Sequence, residues 1–586
     1  MAEAFDGDDL LSGEQTGKQA YFLDVPGTDS AQALSVVSFE ATERFGEPHR
    51  ITIRVTHRFE LPRADYLGRN ARFSIVPDIG EGRTFDGWIT AFAKLSASRD
   101  ESTYEISLEA HLSRLARTHT SRVFQHATAP TIIEQVLRRH GFRGHQFSFT
   151  LRRTYQEHAF RFQYQMNDLA WVQLLMKQEG IYSYITHGRH GDSIVFGDDI
   201  DHYVYQPRKA VPYREPAGLN AAAESAYSLV TRTCSVPELV QVAAYNPDRA
   251  WERFRDEANT ARNDRTTYGQ PYIWGTGHLD AKGAKWEAQL RHEAEIAWQV
   301  VYEGRSNVLG LHPGRILHID EVLPDAPHGQ VIVEVVHQGA RDRPYSNTYK
   351  AIPADRRFRL PLDENSWPKI HGTLTARITS PDNYRYAYVT DQGYYVVRLD
   401  VDFDEWPKGG ELVPLRLAKP FAGARETGFH FPLIDGTEVN VAFDAGNPNR
   451  PYIANAMHNS QSVDLVTSHR RWMSRNVIRT QANNKLRMED WEGEESIKLS
   501  TEHSGKTQLN MGYLVDAQKQ RRGAGAELRT SGHAVTRGGA GVMVTAYDQP
   551  GAGGKQLAMA EVVAQLRELL TLAESLAQSA DASKAS

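Results

Sequence analysis

The chain of 586 residues has a single cysteine, Cys234. One cysteine excludes an intrachain disulfide and any zinc site built on cysteine pairs. Long apolar runs are missing as well: AWVQLLM (170–176) is among the longest, far below the ~20 residues that span a bilayer. A basic surplus is also absent, with 67 Lys and Arg against 73 Asp and Glu and a net charge of −6. Without it there is little to neutralise phosphates, so no nucleic-acid partner is expected. The opening MAEAFDGDDLLSG is acidic and lacks the charged-then-apolar pattern of a secretory leader. Synthesis in the cytoplasm is expected, with any export bypassing the general secretory route.

Reactive motifs are equally scarce. HEAEI (292–296) begins like a zinc-protease helix but has Ile296 where the second histidine is needed. HSGKT (503–507) mimics a phosphate loop, yet the leading glycine position is Ser500 and the context alternates like a strand. His187, His190 and Asp192 in THGRHGD are spaced closely enough to consider a metal; a solvated hairpin turn between YSYIT and SIVFG is the expected reading. DWEGEE (490–495) lacks the alternating ligands and central glycine of a calcium loop and reads as a charged turn. There is no G-x-S-x-G elbow and no G-x-G-x-x-G opening a helix. Paired carboxylates for glycoside hydrolysis are not singled out by any feature. No catalytic, cofactor-binding or metal-binding residue is expected, and no enzyme activity.

What is present is strand pattern. With 40% hydrophobic, 24% charged and 10% aromatic residues, the composition is that of a globular protein of about three to five domains. Ser35–Thr56 reads as strand, turn, strand, with Ile51, Ile53 and Val55 alternating with Thr52, Arg54 and Thr56; Arg72–Leu95 and Tyr104–Ala110 repeat the theme. Three helices interrupt it. In TAPTIIEQVLRRHG, Thr128 caps and Pro130 suits the first turn; in NDLAWVQLLMKQEG, Asn167 caps and Gly180 terminates. The third is expected over Lys282–Val300, with Trp286, Leu290 and Ala297 inward. PLDENSWP (361–368) marks a boundary, after which GTLTARIT, GYYVVRLDV and TEVNVAF have the spacing of a small five-stranded barrel. Arg470–Ala546 then offers short alternating strands and many glycines. Such strands bury little alone and need partners. In the tail, Val562, Leu566, Leu569, Ala573 and Leu576 form a coiled-coil seam, widened by Val563, Leu570 and Ala577. A helix is expected over Glu561–Gln578, with disorder beyond.

Several of these stretches together resemble one family. QYQMNDLAWVQLLMKQEGIYSYITH (163–187), SRVFQHATAPTIIEQVLRRHG (121–141) and EGRSNVLGLHPGRI (303–316) are similar to the hub of the type VI secretion spike, the valine–glycine repeat (VgrG) family. FHFPLIDGTEVNVAFDAGNPNRPYIANAMHNS (429–460) resembles that family's oligonucleotide/oligosaccharide-binding (OB) barrel, and NNKLRMEDWEGEESIKLSTEHSGKTQLNMGYLVD (483–516) the start of its needle. The turn departs in Asn447 and Asn449, where aspartate is frequent, and in Asn455, where glycine is common; Asn serves a turn as Asp does.

The resemblance implies a mainly β protein. A baseplate-hub-like domain of two barrel-like halves with short helices would occupy 1–365, an OB barrel 366–462, the start of an intertwined trimeric β-needle 463–552, and a C-terminal helix and tail 553–586. It implies a homotrimeric spike seated on a hexameric tube protein (Hcp). Three chains with two halves each would offer six seats. A PAAR-type tip protein, effector or adaptor would ride at the C-terminal end, and the target membrane would be met only transiently. Delivery through the type VI apparatus would need no signal peptide. Two rivals are a phage-tail-like spike carrying a cell-wall hydrolase, disfavoured because only about twenty residues separate Ser460 from Asn483, and a carbohydrate-binding module, which rests on barrel type alone.

Overall fold

The computed structural model describes residues 19–583 apart from 78–80, 189–190, 215–222, 276, 278–279 and 470–472. His190 and the acidic opening segment therefore lie outside the described residues. The chain divides into two compact units, Met1–Met457 and His458–Ser586.

The first unit is organised by one twelve-stranded sheet. Gln19–Asp24, Asn70–Pro77, Arg83–Ala97, Ser102–Glu109, Arg50–His57 and Ser35–Arg44 lie side by side, followed by Gln330–Ala340, Arg343–Pro353, Val300–Ser306 and Ala226–Thr233. Val204–Val211 pairs with Arg315–Ile319, which joins through Gln330–Ala340. The alternation seen in the sequence puts Ile51, Ile53 and Val55 into a core with Phe39, Phe73 and Phe85. A second core gathers Tyr302, Leu317, Ile332, Val335 and Tyr349 from the later strands. The two halves are thus separate cores on one sheet. Their seam is the antiparallel pairing of Ser38–Arg44 with Glu334–Ala340.

Two helices cover a third core. Ala129–Arg139 is capped by Thr128, whose side chain accepts from Thr131 N–H at 3.3 Å. Asp168–Glu179 is capped by Asn167 and ends at Gly180, which takes the left-handed φ of 71° that glycine adopts at least cost. Ile132, Ile133, Leu137, Trp171 and Leu175 pack there with Phe196 and Phe358. The third helix runs Ala281–Ala297, shorter than expected, because Trp298 leaves the helix and Val300 already pairs as a strand. Of the residues expected inward, Leu290 and Ala297 are buried, together with Ala284 and Ala288, whereas Trp286 is only partly buried, under the Arg153 guanidinium.

The barrel strands Val397–Leu399, Thr373–Ile378, Glu438–Phe443 and Pro451–Met457 form a four-stranded sheet in that order. The segment around Leu415–Leu417 adds isolated bridges to Tyr395 and Ile453 and curls the sheet on itself. In the second unit, Asn476–Arg479, Lys485–Glu489, Ser496–Thr501, Thr507–Val515 and Arg521–Arg529 make a five-stranded antiparallel meander. A helix, Ala560–Ala582, follows. It continues through the alanine-rich stretch expected to be disordered, as alanine's helix propensity favours.

Candidate functional site

The strand–turn–strand TEVNVAFDAGNPNRPYI is a joint. Val439, Val441, Phe443 and Ile453 are buried in one core with Val123, Phe160 and Phe162, which belong to hub strands His119–Ala127 and His158–Asn167. Phe162 stacks on Phe443 with ring centroids 6.4 Å apart. The turn itself is tight, with Ala445 and Gly446 at φ 52° and 75°. Asn447 Oδ1 accepts from Asn449 N–H at 2.9 Å, which aims Asn449 Oδ1 at the backbone N–H of Phe162, 3.0 Å away. Arg450 donates to the carbonyl of Tyr245 at 2.8 Å. Hub and barrel are therefore coupled by apolar packing and by hydrogen bonds from a turn whose geometry is fixed locally.

A cavity of about 540 Å³ opens beside this joint. Five carboxylates line it, and each is engaged. Glu179 receives Arg153, His158 and Arg161; Glu287 and Glu364 both receive Arg291; Asp248 accepts from Tyr394 and Asp444 faces Arg450 at 3.8 Å. Burial opposes charge on Glu179, but His158, Arg161 and Arg153 hold its carboxyl below the usual range. The Arg153 guanidinium lies 3.7 Å from the ring centre of Trp286. A carboxylate locked among cations is a poor general acid or base. The lining is a brace.

The seam between the two hub halves holds a buried chain of polar groups. Arg83 donates to Glu43, and His337 Nε2 lies 3.0 Å from the same carboxylate oxygen. His337 Nδ1 sits 2.5 Å from Tyr345 Oη, and Asn347 Nδ2 donates to that oxygen at 3.0 Å and to the Val308 carbonyl at 2.8 Å. Burial pushes His337 down to about 4, so its imidazole is neutral. Burial works against the Glu43 charge too, yet Arg83 and His337 keep that carboxyl well below its ordinary range. Nothing in the sequence pointed to this group, in which directly bonded members such as Glu43 and His337 are 294 positions apart.

The residues considered for chemistry resolve individually. His187 and Asp192 are not in a solvated turn. His187 is buried beside Asp86, its ring 5.1 Å from that of His49, and burial holds it at about 3. Asp192 accepts from the backbone N–H of His111 at 2.8 Å and meets that ring at 2.5 Å. His187 and Asp192 are cross-strand neighbours at the base of the expected hairpin, where the strands pack on the hub strand carrying Asp86, and its turn at 189–190 lies outside the described residues. His292 of HEAEI is a strut: Nδ1 accepts from Thr260 N–H at 3.0 Å, and Nε2 reaches the Pro237 carbonyl at 3.0 Å. HSGKT is a turn with Ser504, Gly505 and Lys506 at positive φ. DWEGEE is the turn between Lys485–Glu489 and Ser496–Thr501, bent at Gly493 with φ 75°. Among the described residues no three His, Cys, Asp or Glu side chains are placed to hold a metal, and no helix is long and apolar enough to cross a membrane.

The five-stranded meander has an exposed apolar face. Its register sets Ile478, Leu486, Leu499, Leu509 and Leu528 in one transverse row and Met488, Ile497 and Met511 in a second row on the same face. Within the first row Ile478, Leu499, Leu509 and Leu528 are 44%, 58%, 37% and 68% exposed. The opposite face is mainly polar, and Glu489, Ser496, Ser500, Gln508 and Asn510 are buried there with Leu514. An antiparallel sheet normally turns its apolar face inward. This one displays it.

Residues 42–343 match the family described as phage tail baseplate hub (GPD), and residues 475–580 the one described as putative type VI secretion system Rhs element Vgr. The chain belongs to the baseplate-hub family, among its VgrG spike proteins. Type VI secretion system spike protein VgrG1b of Pseudomonas aeruginosa is 26% identical over 507 residues, covering 83% of this chain and 68% of the relative. The actin cross-linking toxin VgrG1 of Vibrio cholerae is 25% identical over 442 residues, covering 70% of this chain but 39% of the toxin. A solved E. coli protein, described as a component of the type VI secretion system with structural similarity to T4 bacteriophage tail proteins gp27 and gp5, superposes with a TM-score of 0.54. It is 28% identical and covers 74% of this chain and 99% of that one. This VgrG chain spans 68%, 60% and 61% of the length of three P. aeruginosa spike proteins that it matches.

Proposed function

We propose that the chain is one protomer of a homotrimeric type VI secretion spike that works by stiffness and shape and carries out no catalysis. The observation that carries the reading is the exposed apolar row Ile478–Leu486–Leu499–Leu509–Leu528. An apolar sheet face of that width on a soluble chain marks a protein interface. Three copies enclosing their apolar faces would form a needle with a dry interior. The division of the chain follows the same logic: a hub through about residue 365, a barrel to about 462, needle strands to about 552, then the helical tail.

With two hub cores in each chain, one seat on each half would let a trimer present six to a hexameric tube. The braced hub–barrel joint suits a part that transmits a push, because four of its five carboxylates face arginines and its turn is fixed by Asn447 and Asn449. A tip protein or effector would travel at the needle end, and the assembly would leave the cell through the apparatus itself. Deletion of the gene in the producing bacterium tests this. Loss of tube protein from the medium, restored by the intact gene, is expected. Unchanged release of tube protein would overturn the reading, as would peptidoglycan hydrolysis by the purified chain that a single carboxylate substitution abolishes.

A further inference from the structure

The cavity of about 540 Å³ at the hub–barrel joint has the size of a small-molecule site. Much of its apolar wall is aromatic. Tyr245 and Trp274 stand side by side at the same end of two parallel hub strands, Val240–Ala244 and Tyr272–Trp274, and both are exposed. Tyr394 comes from the barrel, Trp286 from the helix Ala281–Ala297, and Trp367 from the boundary segment 361–368. The indole Nε1 atoms of Trp286 and Trp367 are closed to solvent. These two side chains therefore give a ligand carbon surface and no N–H.

The polar lining is mixed in sign. Four carboxylates face arginines, and the fifth, Asp248, accepts from the Tyr394 hydroxyl at 3.0 Å. Burial and Asp248 raise that hydroxyl, and the nearby Arg416 guanidinium opposes the rise. The bridge between Tyr395 and Leu415 holds Tyr394 and Arg416 on adjoining segments. One corner of the cavity thus brings together a ring, a carboxylate acceptor and a guanidinium donor. Among the described residues neither Arg416 nor Lys369 enters an ion pair. The lining has neither the crowd of free cations that a phosphate takes nor a group of bare carboxylates for a cation.

We propose that this cavity binds a pyranose ring of a neutral glycan, seated against Trp274 and Tyr245 with its hydroxyls on Asp248 and Arg416. A pyranose has apolar C–H faces and a rim of hydroxyls. The faces suit aromatic rings, which are large apolar surfaces of fixed shape. Each hydroxyl both donates and accepts, so it is served by a carboxylate and a guanidinium standing together. Braced carboxylates do not lose this use: being held among cations removes them as general acids or bases but leaves lone pairs free to accept. Binding without turnover follows. The site lies within one chain and needs no second copy, and it draws on residues of hub and barrel alike.

The test titrates the full chain with maltotriose, cellotriose and triacetylchitotriose by calorimetry, with tryptophan emission read in parallel. Saturable binding of at least one trisaccharide, with a Kd of about 1 mM or tighter and a shift in emission, is expected. The ranking of the three separates N-acetylated glycans from glucose polymers. Trp274→Ala and Asp248→Asn alter exposed side chains, so both should fold with the melting temperature of the wild type. Each should weaken binding by roughly tenfold or more. Trp251→Ala removes an indole that is 80% exposed on the same part of the hub but outside the cavity, and should bind as the wild type does. No saturable binding of any of the three sugars would overturn the inference. So would binding that both cavity variants retain in full, or that Trp251→Ala loses as much as they do.

Discussion

Glu43 and His337 meet diagonally across the seam of the two hub halves, with His337 Nε2 3.0 Å from Glu43 Oε1 and both side chains buried. Because Arg83 shares that carboxylate, removing its charge strands a buried guanidinium. Glu43→Gln should cost about 3–5 kcal/mol and lower the melting temperature of the hub by several degrees. A melt indistinguishable from wild type would mean that the group is hydrated and weak.

The same region predicts how stability depends on pH. Burial holds His187 at about 3 and His312 and His337 at about 4, and lowers His49. His187, His312 and His337 stay neutral when folded but take up protons near 6.5 when unfolded, so their contribution is complete above that pH and lost as pH falls toward 4, and His49 acts in the same direction. Glu43, held low in the folded state, loses its contribution on further acidification. Melting temperature should therefore fall between about pH 7 and pH 5, by an amount corresponding to about 1–2 kcal/mol per histidine. His337→Gln should flatten that slope. A melting temperature that is level or rising on acidification contradicts the assignment.

At the joint, Asn449→Ala should cost about 1–2 kcal/mol, because it leaves the buried Phe162 N–H without its acceptor. Asn449→Asp keeps an oxygen in place and should lie within about 0.5 kcal/mol of wild type. Denaturant unfolding monitored through the hub–barrel core separates the two. Equal losses for both variants would show that the turn, rather than its bond to Phe162, sets the coupling.

The barrel turn and two of the three helices were legible in the sequence because their signals are local: Thr128, Asn167 and Gly180 mark ends by their own backbone chemistry. The apolar needle row was legible as alternation but not as an exposed face, since period two does not say which side meets solvent. His187 was misread because its burial depends on Asp86 and His49, distant in sequence. The Glu43 chain was invisible for the same reason: its members gain meaning only when strands far apart in sequence pair.

The tail helix Ala560–Ala582 exposes Val563, Leu566, Leu569, Leu570 and Leu576 in the single chain. Most helical stability in proteins comes from packing an apolar face rather than from propensity. Three tails held together by a needle would shield that face at high effective concentration. Amides from Val563 to Leu576 should be protected from hydrogen exchange in the assembled protein. Exchange at random-coil rates would mean that the seam is not used.

The central claim is that the exposed apolar face of the meander is the inside of a trimer. The direct measurement is the mass of the full chain and of Leu499→Glu/Leu509→Glu by light scattering at micromolar concentration. The account predicts three times 65.9 kDa for the wild type and a single chain for the variant, whose charges would otherwise be buried together in a dry interior. A wild type of one chain mass, or a variant that remains a trimer of unchanged stability, would contradict it.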